Sequence, residues 1–307
     1  MNKLKRISLI GCSILTSFTM LSLNVSADSP SIFQNGYGTQ NAINNEIAPL
    51  SLNADFTYNG GAYRILDSNN VTFMGVSDSS IKNFSIPSRA LDAANKKYYQ
   101  ITQIGFPNAS MPGANSGLMD IESIDSVPGS VTVINKFAFY GSNLKSINLS
   151  NLNGLTNITY CAFACCDQLE TVMLPCYLSS IDGTAFAGCP SLTNFTIYSD
   201  GKGECWLNKI GSSAFANCTS LRRINIPFTT SLTIDNNALS GMGGTSSNPV
   251  VIALGSSSNN YYYGYITINS SEIQQLKNKT LVFSGNLSKY FLRDADGNDL
   301  NWDGTLK

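Results

Sequence analysis

Between residues 130 and 242 the apolar positions recur in a fixed order rather than with the period of a helix. Ile134, Ala138, Phe139 and Ser142 are followed at the same spacings by Ile158, Ala162, Phe163 and Cys166, by Ile181, Ala185, Phe186 and Cys189, and by Ile210, Ala214, Phe215 and Cys218. The pattern is I-x-x-x-A-F-x-x-C, and Ile234, Ala238, Leu239 and Met242 are a worn fifth copy. Soon after each block comes a second one: Leu144, Ile147 and Leu149; Leu169, Val172 and Leu174; Leu192, Phe195 and Ile197; Leu221, Ile224 and Ile226. The Ala-Phe pairs begin at 138, 162, 185 and 214, in steps of 24, 23 and 29 residues, and such self-similarity marks a stacked repeat.

The second block, L-x-x-I-x-I, predicts a short strand with alternate side chains buried. Successive copies pair these strands into a parallel sheet, and the Ala-Phe turn covers the other side and closes each coil around a continuous apolar core. Alanine is small where the backbone turns, and phenylalanine fills the space between coils, each buried ring stabilising by about 1.5–3 kcal/mol. The longest step contains an insertion, 199–206, whose glycines and polar residues suit a projecting loop that carries specificity.

The combination A-F-x-x-C-x-x-L-x-x-I-x-I-P resembles the BspA-like leucine-rich repeat family of bacterial secreted and surface proteins. The resemblance implies an α/β-type repeat solenoid: leucine-rich repeats with a short-strand parallel sheet, an N-terminal β-hairpin cap and a β-rich C-terminal cap. It also implies a non-catalytic, adhesin-like protein that binds a host or community macromolecule. The alternatives are a structural surface module without a specific ligand and a carbohydrate-active enzyme using the extension after residue 243.

Weaker copies extend the repeat upstream. Ile81, Phe84, Ile86 and Pro87 fit the strand block, and Tyr98 to Gly105 fits the lead into a first turn. Ile121, Ile124, Val127 and Pro128 carry one extra residue and lack an Ala-Phe pair, which leaves Phe106 to Gly117 unassigned. Phe56 to Ile65 and Val71 to Gly75 alternate around a polar turn and predict a hairpin. Val250 to Leu254, Ile266 to Ile268 and Leu281 to Phe283 predict further strands, with a helical turn at 271–278. The expected organisation is therefore a signal peptide at 1–27, a flexible segment at 28–50, a cap and degenerate repeat at 51–105, the solenoid at 106–243, and degenerate repeats with a closing cap at 244–307.

Lys3, Lys5 and Arg6 precede an apolar stretch from Ile7 to about Val25, and Ala27 ends a small-residue cleavage site, the arrangement of an export signal. Leu9, Ile10, Gly11 and Cys12 form an alternative lipobox, in which Cys12 would be lipidated. Cleavage after Ala27 leaves a formal charge of −4, from 16 basic and 20 acidic residues, and no membrane span in the mature chain. That balance points away from nucleic acid and toward an extracellular protein or polysaccharide partner, with the oligomeric state open.

Histidine is absent, which removes Ser-His-Asp and Cys-His catalysis and most zinc and iron sites. No cofactor or metal is expected. Cys166, Cys189 and Cys218 share one repeat position and read as a column of buried thiols, while a Cys176 to Cys205 disulfide is one pairing open to an exported protein. Asp299, Asn301, Asp303 and Gly304 match the opening of a calcium loop, but the chain reaches Lys307 before the expected glutamate, so a polar turn is the better reading.

The candidate binding residues are the outward positions of the predicted strands. Ser146, Thr171, Asn194 and Arg223 form one column and Asn148, Met173, Thr196 and Asn225 the next. Solvation of the sheet is the competing explanation for these polar positions. Tyr261, Tyr262, Tyr263 and Tyr265 are a second candidate contact surface, weighed against packing at the C-terminal end.

Overall fold

A computed structural model describes residues 54–109, 116–259 and 261–307. The export signal, Cys12 and the 28–50 segment expected from the sequence lie outside the described residues.

The first strands are β1 (Phe56–Tyr58), β2 (Gly61–Ile65), β3 (Asn70–Val76), β4 (Asn83–Ser85), β5 (Arg89–Asp92) and β6 (Lys97–Ile104). A short helix α1 (Ser116–Met119) leads to β7 (Ser123–Ser126) and β8 (Val133–Ile134). The regular coils contribute β9 (Ser146–Asn148), β10 (Asn157–Ile158), β11 (Thr171–Leu174), β12 (Ser180–Ile181), β13 (Asn194–Ile197), β14 (Lys209–Ile210), β15 (Arg223–Ile226) and β16 (Ser231–Ile234). The chain continues through β17 (Val250–Leu254), β18 (Gly264–Ile268), α2 (Ser270–Lys277), β19 (Leu281–Gly285), β20 (Tyr290–Asp294) and β21 (Asp299–Leu300).

Each coil passes alternately through two parallel ladders. The first runs β4-β7-β9-β11-β13-β15-β17-β19, and the second runs β10-β12-β14-β16-β18-β20. The strands β3, β6 and β8 are parallel to one another on the second side as well, so the coil path begins upstream of the clear repeats. The antiparallel pair β2-β3 therefore shares its second strand with the solenoid.

The expectation of a single sheet backed by turns is incomplete. The isoleucine that opens each I-x-x-x-A-F block is itself the end of a strand on the second side, and strands of two residues are too short to show an alternating signal. The extra residue near Ile121 is absorbed by an irregularity between Phe84 and Ser85, where Ser85 pairs with Ser126.

The Ala-Phe turns form a third set of hydrogen bonds between coils. Backbone N–H groups of Phe139, Phe163, Phe186 and Phe215 donate to the carbonyls of Ala162, Ala185, Ala214 and Ala238 at 2.8, 2.8, 2.9 and 2.8 Å. Each turn needs two left-handed residues. One precedes the alanine (Phe137, Cys161, Thr184, Ser213 and Asn237), and one lies two residues after the phenylalanine or its equivalent (Gly141, Cys165, Gly188, Asn217 and Gly241). The rings stack in one file: Phe139 on Phe163 at 4.9 Å, Phe163 on Phe186 at 5.2 Å, and Phe186 on Phe215 at 5.6 Å.

The thiol column forms beside this file. Cys166, Cys189 and Cys218 donate to the carbonyls of Phe139, Phe163 and Phe186 at 2.9, 3.1 and 3.1 Å, each reaching back one coil. Beyond Leu239 the turn is replaced by α2, and the buried Glu272 occupies the place of another Ala-Phe pair. Its Oε2 accepts from the Ser271 hydroxyl at 2.6 Å, and burial raises the carboxyl pKa against the opposing pull of that bond and of nearby backbone N–H groups.

Candidate functional site on the first sheet

Alternation on β9, β11, β13 and β15 sends Ile147, Val172, Phe195 and Ile224 inward and leaves the intervening side chains outside. Ser146, Thr171 and Asn194 are direct neighbours across the ladder, and Arg223 faces Val251 on β17. The second column is continuous: Asn148, Met173, Thr196, Asn225 and Ala253 are neighbours in that order. Ser146, Asn148, Asn194, Arg223 and Asn225 are exposed, and Thr171, Met173 and Thr196 are half-buried. The strands stand about 4.8 Å apart, so the columns form a regular array of amide, hydroxyl and guanidinium groups interrupted by the Met173 thioether.

One end of this array is shaped. Arg223 and Asn225 form part of a shallow depression of about 390 Å³, lined by the apolar Ile197, Ile226, Pro227, Ala253 and Leu254 and bordered by Ser199 and Gly203 of the inserted loop and by Gly255 and Ser256 of the next corner. The Arg223 Nε donates to Asn225 Oδ1 at 2.8 Å, which orients the guanidinium. No ion pair between Arg223 and a carboxylate occurs among the described residues.

The inserted loop is fixed. Asp200 Oδ1 accepts from the backbone N–H groups of Lys202 and Glu204 at 2.8 and 2.9 Å, bonds that hold its carboxyl below the usual range. The Ser258 N–H donates to the Lys202 carbonyl at 2.9 Å, and the Ser257 hydroxyl donates to Glu204 Oε1. The insertion is thereby clipped to Ser257 and Ser258, which precede the tyrosines in the chain.

Tyr261, Tyr262, Tyr263 and Tyr265 are all exposed, Tyr261 at 90%, while Tyr262 also packs on Phe228 and Tyr263 on Phe291. Tyr265 stacks on Phe291 at 5.4 Å, and the Arg293 guanidinium lies 4.4 Å from the Tyr265 ring centre. The sequence pattern did not point to Phe291, Tyr198 or Trp206, which are also exposed. Tyr198 directly follows β13, and its position at a strand end was the available signal.

Other motifs do not converge into a site. Cys176 and Cys205 are thiols rather than a disulfide, and Cys205 Sγ is directed at the Pro227 carbonyl of the following coil at 3.6 Å. Burial pushes the Cys205 thiol up to about 12 and Cys161 to about 11, and it holds Cys166 and Cys189 well above the ordinary thiol range. In the tail, Asp299 pairs with Arg293 and Asp303 accepts from Thr305, so these carboxylates serve a turn. Among the described residues there is no group of three or more potential metal ligands, and no helix is long and apolar enough to cross a membrane.

Residues 115–245 match the BspA type leucine rich repeat region, in six copies. Among solved structures, the chain is similar to a leucine-rich repeat protein from Bacteroides ovatus ATCC 8483, with 19% identity over 78% of this chain and 71% of that one and a TM-score of 0.45. It is also similar to the pneumococcal vaccine antigen PcpA, with 20% identity over 76% of this chain and 66% of that one and a TM-score of 0.41. A leucine rich repeat protein of T. pallidum, TpLRR, is 16% identical over 76% of this chain and 82% of that one, with a TM-score of 0.39. No protein of curated function matches the chain.

Proposed function

We propose that this chain, whose residues 115–245 are BspA-type leucine-rich repeats, is an exported or cell-surface bacterial binding protein of adhesin-like role. Its first sheet is the contact surface for an extracellular protein or polysaccharide. The observation that carries this reading is the continuous second column, Asn148 to Asn225, in which outward side chains of successive coils stand in register beside the Arg223 column. Polar groups at a fixed repeat engage an extended macromolecule through many weak contacts, the use to which solenoid surfaces are suited. The work is binding rather than bond-making: with no histidine in the chain, the outward face carries no nucleophile paired with an imidazole base.

Simultaneous replacement of Asn194, Thr196, Arg223 and Asn225 by alanine tests this. The purified chain is applied to panels of extracellular-matrix proteins and polysaccharides. Loss of the wild-type interaction with the melting temperature nearly unchanged is expected, since surface changes of this kind each alter stability by about 0.5 kcal/mol or less. Binding that survives the replacement removes the first sheet as the contact surface. The exposed Tyr261 to Tyr265 segment is then the next surface to examine, because its rings are available to a partner.

A further inference from the structure

A second depression, of about 450 Å³, is lined by Asn69, Ser88, Arg89, Tyr98 and Gln100 and shares no residue with the first-sheet columns. All five residues are exposed, Tyr98 at 51%. Two strands and a turn meet here. β6 supplies Tyr98 and Gln100, β5 supplies Arg89 opposite Gln100, and the turn between β2 and β3 supplies Asn69. Main-chain bonds fix these segments to one another: the Gln100 N–H donates to the Asn69 carbonyl at 2.9 Å, and the Ile101 N–H to the Ser88 carbonyl at 3.3 Å.

The backbone is thus committed, and what remains for a ligand is side-chain chemistry: a guanidinium, a phenol, two amides and a hydroxyl. The Arg89 guanidinium lies 5.8 Å from the Tyr98 ring centre and pairs with no carboxylate among the described residues. The acids of the adjoining turns are engaged elsewhere. Asp67 accepts from the backbone N–H groups of Asn69 and Asn70 and from the Asn70 amide, and Asp92 accepts from Ala94 and Asn95. A guanidinium left in this state fits a planar two-oxygen acceptor. Amide and hydroxyl side chains both donate and accept, as sugar hydroxyls do, and the phenol ring adds an apolar surface for the sugar's C–H groups. A peptide would seek a free strand edge or an apolar anchor pocket. At Gln100, β6 is paired on both sides, with Asn70 and with Arg89, and no aliphatic side chain among the described residues lines the depression.

We infer that the depression at Arg89 is a subsite for a sugar acid. The guanidinium holds the carboxylate, Asn69, Ser88 and Gln100 bond to ring hydroxyls, and Tyr98 packs on the sugar. The subsite is separate from the first-sheet contact surface and stands or falls independently of it.

The test is calorimetric titration of the purified chain with galacturonate and glucuronate, and with polygalacturonate and hyaluronan, which carry such acids within chains. Galactose and dextran control for hydroxyls without charge, and glutarate for carboxylates without hydroxyls. At least one of the sugar acids is expected to bind well ahead of the controls and more weakly as salt is raised. Binding of a monomer marks a free or terminal sugar acid as the ligand, and binding of the polymers alone marks an internal residue. Arg89→Gln should weaken the interaction about tenfold or more, the scale of a lost hydrogen bond to a charged group. Arg89→Lys should recover only part of it, because a point charge replaces a fork. The fourfold first-sheet replacement should leave it unchanged, which separates the two surfaces. Melting curves of the Arg89 variants exclude unfolding as the cause. No binding of any sugar acid, equal binding of glutarate, or binding that ignores Arg89→Gln overturns the subsite.

Discussion

Replacing Phe186 by alanine removes the ring with the most aromatic neighbours in the file. Phe186 is fully buried, stacks on Phe163 at 5.2 Å and Phe215 at 5.6 Å, and receives the edge of Phe195 at 5.3 Å. Truncating a buried phenylalanine costs about 3–5 kcal/mol, and the three ring contacts place this position toward the upper part of that range. Phe139, with one stacked neighbour within the same file, should cost less on truncation. Coils in a solenoid are stabilised by their neighbours, so the loss at Phe186 weakens the interfaces on both sides. Urea unfolding followed by far-ultraviolet circular dichroism measures the difference, with the dependence on denaturant compared between variants to check that the transition remains cooperative. Thr196→Ala, on the outer face of an adjacent strand, is the control and should stay within about 0.5 kcal/mol of wild type. A cost below about 1 kcal/mol for Phe186→Ala, or one equal to the control, refutes a continuous ring-filled interior.

Glu272→Gln should raise the melting temperature at pH 8. Burial lifts the carboxyl pKa in the folded chain above its unfolded value, so ionisation opposes folding in full above the raised value. That opposition fades as pH falls through the raised value and is gone below the ordinary glutamate range, so the advantage of glutamine should vanish near pH 4; a gain that grows toward acid contradicts this. Gly188→Ala should destabilise by about 1 kcal/mol, because φ is +71° there and an L side chain is strained in the left-handed region. An unchanged urea midpoint would show that the turn relaxes.

Much of this arrangement was legible in the chain. The I-x-x-x-A-F blocks locate the buried isoleucines and stacked rings, and L-x-x-I-x-I locates the first ladder and its outward residues, because alternation has period two in any strand of three or more residues. The second ladder was hidden, since Asn157–Ile158 or Ser180–Ile181 is too short to alternate. Left-handed backbone at Phe137, Cys161 and Thr184 left no trace either, because tertiary packing rather than a glycine imposes it. The role of α2 was equally opaque: a glutamate in a polar helical stretch reads as a surface residue, and only the docking of that helix over Ala238 and Leu239 buries it. For the site, the columns from Ser146 to Arg223 and from Asn148 to Asn225 followed from register. The depression did not, because Ser199 and Gly203 of the insertion and Gly255 and Ser256 of the next corner border it, and the hydrogen bonds between those segments depend on the stacking of distant coils.

Side-chain footprinting of the chain with and without a bound macromolecule tests the contact surface most directly. Masking of Asn194, Thr196, Arg223 and Asn225, with the outward residues Asn157, Ser180 and Lys209 of the second ladder left unprotected, is the expected result. Masking confined to the second ladder, with the first-ladder columns labelled as in the free protein, would contradict it.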